Sequence, residues 1–375
     1  MIKIGVVGVG QAGGNIAAEF GKLGHEKAAI NLSLADLRSL EDLIPARLTL
    51  ETGAGAAKDP AEGFRALERN AQRVMEFLRQ QFADCQAILV SFSLGGGTGS
   101  GAGPGVVDLA ANVFPGRPVG AIVVLPATEE APVAQENAVE AFADLSKVRA
   151  GAVLVVDNQR AFELLRAEKA DAGRRELFEV TNGTVARLVD DLIKVPSMAS
   201  ELGNVDEAEV LALLGERGLM VIGEAILTDD GCGPSNVADT ATLIQYSLEK
   251  GVFVPAAGRA TKAAVIWQAP AEWTRHLRIS EALDPLPGEV FEGIYDDARG
   301  RILTVLAGLP WPLTRLHDIE SRLESARPVL EETAAAVQSM EYEPRVKPVL
   351  ARRPLGGGDG EPSVEEILGR HRRRR

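Results

Sequence analysis

Gly95-Gly96-Gly97-Thr98-Gly99-Ser100-Gly101 follows the apolar stretch Ala87 to Leu94 and precedes the helix-like stretch Val106 to Val113. That order predicts a buried strand, a phosphate-binding loop and a helix start. Five glycines in seven positions leave backbone N–H groups free to converge on an anion, and the N-terminus of the following helix adds its partial positive charge. Thr98 and Ser100 are expected to add hydroxyl donors, Gly99 to leave room for a phosphate, and Pro104 to signal the helix start. A flexible Gly/Ser connector is the plain alternative, and the tight flanking by a strand pattern and a helix pattern speaks against it. The lysine-bearing G-x-x-x-x-G-K-[ST] pattern does not occur, so this is not an ordinary P-loop.

The septet matches GGGTG[ST]G in full, the signature loop of the tubulin/FtsZ superfamily. The chain resembles that superfamily from residue 1 to about residue 225, and is closer to the CetZ and TubZ groups than to typical FtsZ. Residues 226 to 340 resemble it in pattern only. The resemblance implies a GTP-binding and GTP-hydrolysing protein that polymerises head to tail into homopolymer filaments, with GTP/GDP and Mg²⁺ as cofactors.

Ile2 to Val9 is a short apolar run leading into Gly10-Gln11-Ala12-Gly13-Gly14-Asn15. Gly8, Gly10 and Gly13 also satisfy G-x-G-x-x-G after a strand, which keeps an NAD(P)-dependent Rossmann oxidoreductase as an alternative. That fold wants an acid about 20 positions on, and the strand Ala28 to Ile30 ends in Asn31 instead. The GQAGG form resembles the first nucleotide loop of the superfamily, where Gln11 would approach phosphates and metal. The resemblance implies that Mg²⁺ is held mainly by phosphates and water.

Other loops are read through the same resemblance. Asn31-Leu32-Ser33 falls at a nucleotide-facing loop, and Thr52-Gly53-Ala54-Gly55-Ala56 resembles a γ-phosphate sensor; either can be a mere turn. After the strand Val119 to Leu125, Pro126 to Glu130 resembles the sugar-binding loop, with Glu130 the ribose contact and Asn137 nearby. Base recognition falls to Asn158 and Asn182, since an amide offers a donor and an acceptor together. Turn and N-cap roles are the ordinary uses of these two asparagines. Typical FtsZ proteins carry Asp after the second Asn, and here the residue is Gly183, which leaves the strictness of guanine preference open.

Asn204-Val205-Asp206-Glu207-Ala208-Glu209 precedes the apolar-periodic Val210 to Leu214. Asp206 and Glu209 are three apart, which puts both carboxylates on one helix face. Asn204 with Glu207 forms an N-x-x-E pattern, so a helix cap is the bland account. The segment also resembles the family's catalytic loop N-x-D-x-x-[DE], whose acids act on the nucleotide of the neighbouring subunit. On that resemblance Asn204, Asp206 and Glu209 are the catalytic candidates. A non-hydrolysing nucleotide-binding scaffold is the remaining alternative.

Alternating apolar strands and helical stretches up to about residue 180 predict a Rossmann-like parallel α/β sheet. The expected organisation is a GTP-binding domain (1–181), a central helix and linker (182–203), a second smaller α/β domain (204–316), a helical segment (317–343) and a disordered tail (344–375). The three tryptophans, Trp267, Trp273 and Trp311, all fall in the second unit and read as core or interface. No apolar run reaches membrane-spanning length and the chain begins on a core strand, so neither a transmembrane segment nor a signal peptide is expected. Cys85 and Cys232 lack metal-ligand spacing, and the four histidines are scattered, which fits a cytoplasmic location and no zinc site.

The chain has 375 residues and a net charge of −13. Residues 345–375 carry nine Arg or Lys against four Asp or Glu, a net of +5 that leaves −18 on the rest. A body this acidic repels nucleic acid over most of its surface, while the basic, Pro- and Gly-rich tail cannot form a core. Ser363 to Arg370 faintly resembles an adaptor-binding peptide. The tail is therefore the expected contact for an adaptor protein, a DNA-bound adaptor or a membrane surface, with a solvated charge run as the alternative.

Overall fold

The N-terminal apolar runs show no polar alternation, the pattern of parallel strands covered on both faces. In the computed structural model they lie side by side. The structure describes residues 2–51, 54–200, 203–227, 237–255, 257–270, 272–273, 279–297 and 300–338.

The chain runs β1 (Ile4–Val9), α1 (Gly10–Lys22), β2 (Glu26–Asn31), α2 (Leu34–Ser39), β3 (Arg47–Thr49), α3 (Pro60–Gln81), β4 (Ala87–Ser93), α4 (Thr98–Val113), β5 (Val119–Leu125), α5 (Pro132–Lys147), β6 (Ala152–Asp157), α6 (Asn158–Glu168) and α7 (Arg174–Lys194). It continues with α8 (Glu207–Gly215), β7 (Gly218–Ile226), α9 (Val237–Glu249), β8 (Lys262–Gln268), α10 (Ile279–Ala282), β9 (Glu289–Tyr295), β10 (Arg301–Leu309) and α11 (Leu313–Gln338).

Ten strands make one sheet in the order β3-β2-β1-β4-β5-β6-β7-β10-β8-β9. Pairing is parallel from β3 to β7; β10 then inserts antiparallel between β7 and β8, and β9 closes the row parallel to β8. The expected α/β architecture is present, with a mixed second part. Residues 1–327 form one compact unit and residues from 328 on a second. Strand β7 is hydrogen-bonded to β6, Gly218 opposite Ala152, so the sheet runs without a break across the boundary expected at 204. Among the described residues no helix is long and apolar enough to cross a membrane.

Glycine sets how close the helices come. A Cβ at Gly13 would lie 2.0 Å from the Ser91 carbonyl oxygen, so α1 sits directly on β4, and the Ser91 hydroxyl donates to the Gly13 carbonyl at 2.9 Å. A Cβ at Gly101 would lie 1.9 Å from the Pro60 oxygen, and one at Gly103 2.4 Å from the Phe92 ring. These glycines after the loop allow α4 to press on α3 and β4. Helix α4 accordingly begins at Thr98, with Pro104 inside it rather than at its start.

Two other helices begin earlier than their sequence suggests. Helix α7 starts at Arg174, not 182, because it simply carries Asn182-Gly183 in its interior, where glycine costs about 1 kcal/mol relative to alanine. Its apolar face, including Leu177, Val185, Leu188 and Leu192, is buried. Helix α11 starts at Leu313, after Trp311-Pro312, and Arg315 in its first turn donates to Asp157 Oδ2 at the end of β6 at 2.8 Å. Trp267 is fully buried, while Trp273 and Trp311 pack against the core as half-buried rings.

Candidate functional site

The carboxyl ends of β1, β2 and β4 open onto a cavity of about 410 Å³. Ligands of parallel α/β sheets bind at this edge. Two helices start there without a cap. The residues preceding α1 and α4, Val9 and Gly97, give no side-chain cap, and neither first turn contains an acid. Helices α2, α3, α6 and α8 are instead capped by Ser33, Asp59, Asp157 and Asp206. The free N–H groups and the dipoles of α1 and α4 therefore face one space, an arrangement suited to an anion.

Gly10, at φ 74°, turns β1 into α1 and brings this loop against the septet, where its Cβ would lie 3.1 Å from the Gly99 nitrogen. A Cβ at Gly96 would meet no atom within 4 Å, so this glycine borders open space. Gly99 does not: its Cβ would strike the Ser93 carbonyl oxygen at 2.7 Å. The expectation that Gly99 makes room for a phosphate is corrected accordingly; Gly99 lets α4 approach the end of β4, and Gly96 is the septet glycine that leaves a ligand its space.

The cavity gathers Gly10, Gln11, Ala12, Asn31, Gly95 to Gly99 and Glu130 of the expected residues. Asn31 donates to Asp36 Oδ2 at 3.1 Å and accepts from the Ser33 amide at 3.1 Å, fixing the turn after β2. Ser33 and Asp36 line the cavity as well, and the S-x-x-D cap of α2 was the signal for them. Glu130 Oε1 accepts from the Ala127 amide at 2.9 Å, which leaves its second oxygen for a ligand. The loop before α3 contributes Gly55 and Ala56, within the stretch singled out from sequence, and Ala57 and Lys58 just beyond that stretch. A lone lysine in an Ala/Gly run just before the Asp59-Pro60 helix start was its mark.

Several expected ligand residues serve the scaffold instead. Ser100 donates its hydroxyl to the Gly96 carbonyl and lies outside the cavity lining. Gly13 and Gly14 are packing positions, a Cβ at Gly14 meeting the Leu40 side chain at 2.5 Å, and Asn15 is exposed outside the lining. Buried Asn137 donates to the carbonyls of Lys58 at 3.0 Å and Gly95 at 3.4 Å, joining two loops. Ala54 bridges to Ser33, and Gly53 lies outside the described residues. Asn158 opens α6, 8% exposed, and Asn182 lies in the interior of α7; neither lines the cavity. Phe178, one turn before Asn182 on the same helix face, is 38% exposed.

The acidic loop stands apart from the cavity. Helix α7 leads away from it: His25 Nε2, just before β2 begins, lies 2.9 Å from Asp190 Oδ1 near the end of α7. Helix α8 ends at the start of β6, where a Cβ at Gly151 would lie 2.5 Å from the Leu214 oxygen. Neither Asp206 nor Glu209 lines the cavity. The cap of α8 is formed by Asp206 with Glu209, not by Asn204 with Glu207. Asn204 instead exchanges two hydrogen bonds with the Ser200 backbone, each 3.0 Å. The loop is pinned to β9 by the Tyr295 hydroxyl, which accepts from the Val205 amide at 3.0 Å.

The GTPase-domain model of the Tubulin/FtsZ family matches residues 3–166. The tubulin-like protein CetZ2 of Haloferax volcanii is 27% identical over 366 residues, 92% of this chain and 96% of its own. Residues 3–166 thus resemble the GTPase domain of the Tubulin/FtsZ family, and the chain as a whole is similar to tubulin-like proteins. The GTPγS-bound protofilament structure of CetZ2 from Haloferax volcanii matches this chain at 25% identity and a TM-score of 0.69, over 89% of this chain and 100% of the other. The GTPγS-form protofilament of TubZ from Bacillus thuringiensis serovar israelensis shares the fold, with a TM-score of 0.75 at 20% identity over 90% and 95% of the two chains.

Proposed function

We propose that this tubulin-like chain binds GTP with its phosphates on the α1 and α4 N-termini, and hydrolyses it in head-to-tail rows where Asp206 and Glu209 of the next copy complete the site. The carrying observation is that the cavity lining holds the cradle but neither Asp206 nor Glu209. On this reading a nucleotide held by one copy is served by the acids of its neighbour. The named relatives solved as protofilaments support this reading.

Phosphoryl transfer asks for alignment and charge stabilisation more than for covalent chemistry. The uncapped helix N-termini bind and orient the phosphates, and the incoming acids orient the attacking water. Among the described residues no three His, Cys, Asp or Glu side chains cluster to hold a metal. A Mg²⁺ ion that keeps most of its waters and takes its other oxygens from phosphates fits that donor set, with the Gln11 carboxamide as the protein contact. When bound, it would neutralise charge on the phosphates. The ring of Phe178 and the amides of Asn158 and Asn182 are the candidates for stacking and reading the base.

Mixing two inactive variants tests the shared site. Gly96→Val blocks the cradle but keeps the acids, and Asp206→Asn keeps the cradle but lacks an acid. Each alone should release little phosphate, and an equimolar mixture should recover turnover. A mixture as inactive as its parts, alongside a wild type that hydrolyses independently of concentration, would put both halves of the reaction in one copy. A wild type that retains nucleotide at every concentration without turnover would be a binding scaffold.

A further inference from the structure

The loop 126–130 borders two cavities. Glu130 lines the one at the ends of β1, β2 and β4, and Thr128 lines a second, of about 850 Å³, whose wall includes Trp311, Pro255, Pro310 and Leu313. We propose that this second cavity binds a small organic anion with an aromatic body, and that its occupancy is coupled to the nucleotide cavity through the loop the two share. The site stands on its own residues, and the coupling rests on the nucleotide assignment above.

An aromatic body suits the apolar part of this wall. The volume falls in the range of small-molecule sites, about 300–1,000 Å³. Trp311 is half-buried, and its ring stands edge-on to Phe142 of α5, with centroids 5.5 Å apart and planes at 90°. Pro310 and Pro312 fix the backbone on either side of it, and both line the cavity. The ring is therefore a set surface before any ligand arrives, which lowers the ordering cost of binding.

The negative charge would come from the ligand, because the acids of the wall are already engaged. Asp157 accepts from Arg315 Nε at 2.8 Å, Asp318 from Arg315 and Arg322 at 3.1 Å each, and Glu163 from the Gln159 carboxamide at 2.6 Å. Arg160 lines the same cavity and is not matched in this way. Its Nε donates to the Gly251 carbonyl at 2.6 Å, its Nη2 is buried without a partner, and it forms no ion pair among the described residues. Burial pulls its pKa below the ordinary arginine value, and the charges of Asp157, Glu163 and Glu249 do not offset that. A guanidinium taken out of water without a counter-charge calls for an anion, and its delocalised, planar charge suits a carboxylate or sulfonate.

The shared loop is tied to this wall at two points. Gln159 Oε1 accepts from the Thr128 amide at 3.0 Å and from the Thr128 hydroxyl at 2.7 Å, and Arg315 Nη2 donates to the Pro126 carbonyl at 3.1 Å. Between them, the Ala127 amide donates to Glu130 Oε1 at 2.9 Å. An occupant that moves Gln159 or Arg315 thus changes where Glu130 stands in the first cavity, and a ligand there favours one placement of the second wall.

Fluorescence titration of the full-length chain with anilinonaphthalene sulfonate, an aromatic anion, tests the site. Binding should be saturable, and Arg160→Met should weaken it by about 10-fold or more. Leu313→Glu sets a repelling carboxylate on the wall at a position that is 55% exposed and lies in the first turn of α11, where an acid suits the helix dipole. This variant should melt within about 2 °C of the wild type and still weaken the probe by about 5-fold or more. Saturating GDP should shift the affinity for the probe by about 5-fold or more, and the probe should shift the affinity for GDP by the same factor. Unchanged probe affinity in both variants, or no saturable binding to the folded wild type, would overturn the site. A GDP titration unmoved by saturating probe would overturn the coupling and leave the site standing. A wild type that binds no GDP would overturn the nucleotide assignment and the coupling with it, while the probe titration still reads the second cavity.

Discussion

Asp206 and Glu209 hold each other. The Glu209 amide donates to Asp206 Oδ1 at 2.9 Å, and the Asp206 amide donates to Glu209 Oε2 at 2.9 Å. One oxygen of each carboxylate is thus committed to the start of α8. The other has no such bond, and Asp206 is exposed. A cap and a reactive pair can share these residues, because each role uses a different oxygen.

Capping and hydrolysis are consequently separable by substitution. Asp206→Asn and Glu209→Gln keep hydrogen-bonding side chains at both positions, so stability should fall by less than about 1 kcal/mol while GTP turnover falls by roughly 10²-fold. Asp206→Ala should lose about 1 kcal/mol as well as turnover. Thermal melts beside phosphate-release assays read the two effects. Full turnover in both amide variants would leave the pair with capping as its whole role.

The septet glycines should fail in different ways. Gly96→Ala adds a methyl to open space, so the fold should hold and GTP affinity should drop. Gly99→Ala drives the methyl onto the Ser93 oxygen at 2.7 Å, and the cost should appear as about 1–3 kcal/mol of stability. Melting temperature and nucleotide titration on both proteins check this contrast.

Much of this site was legible because its residues are chosen by the backbone. Gly10 and Gly96 mark a turn and an open cradle that other residues would distort or fill, and such constraints leave a local pattern. Asn137, Ser100 and Gly13 carry the same letters as ligand residues, yet their partners are 42, 4 and 78 positions away along the chain. Sequence proximity to a motif does not tell a loop brace from a ligand contact. The start of α7 was hidden for the opposite reason: Asn182-Gly183 has the look of a break, and burial of Leu177 and Val185 outweighs it.

Acid should loosen the seam between α7 and the second part of the sheet. Burial pushes the Glu224 carboxyl up, but the guanidinium groups of Arg187 and Arg301, at 2.7 Å each, outweigh burial and hold it below the usual carboxylate range. A carboxyl depressed on folding stabilises the fold above its unfolded value, and the gain disappears as pH falls through the folded value. Stability should therefore drop below the ordinary carboxylate range near pH 4. Glu224→Gln should flatten that drop and cost about 2 kcal/mol at neutral pH, since Asp191 still faces the buried Arg301 at 2.9 Å. Urea melts from pH 3 to 7 on both proteins measure it.

Removal of Gly356 to Arg375 should leave melting and GTP affinity unchanged, since the segment has no core-forming composition. Capture of an acidic partner should weaken, and most at low salt, where several arginines release counterions from a polyanion. Pull-downs at two salt concentrations compare the full and truncated chains, and identical recovery would leave the tail without a docking role.

If cradle and acids meet only between copies, as proposed, a row of these molecules would carry a sense of time. The copy at the open end would hold a nucleotide that no neighbour has yet touched, whereas every nucleotide behind it would have been in reach of acids since the next copy arrived. Unspent nucleotide then marks recent growth, and a stalled row loses that mark from its interior outward. Two patches that meet only between copies would suffice to turn an assembly into a clock.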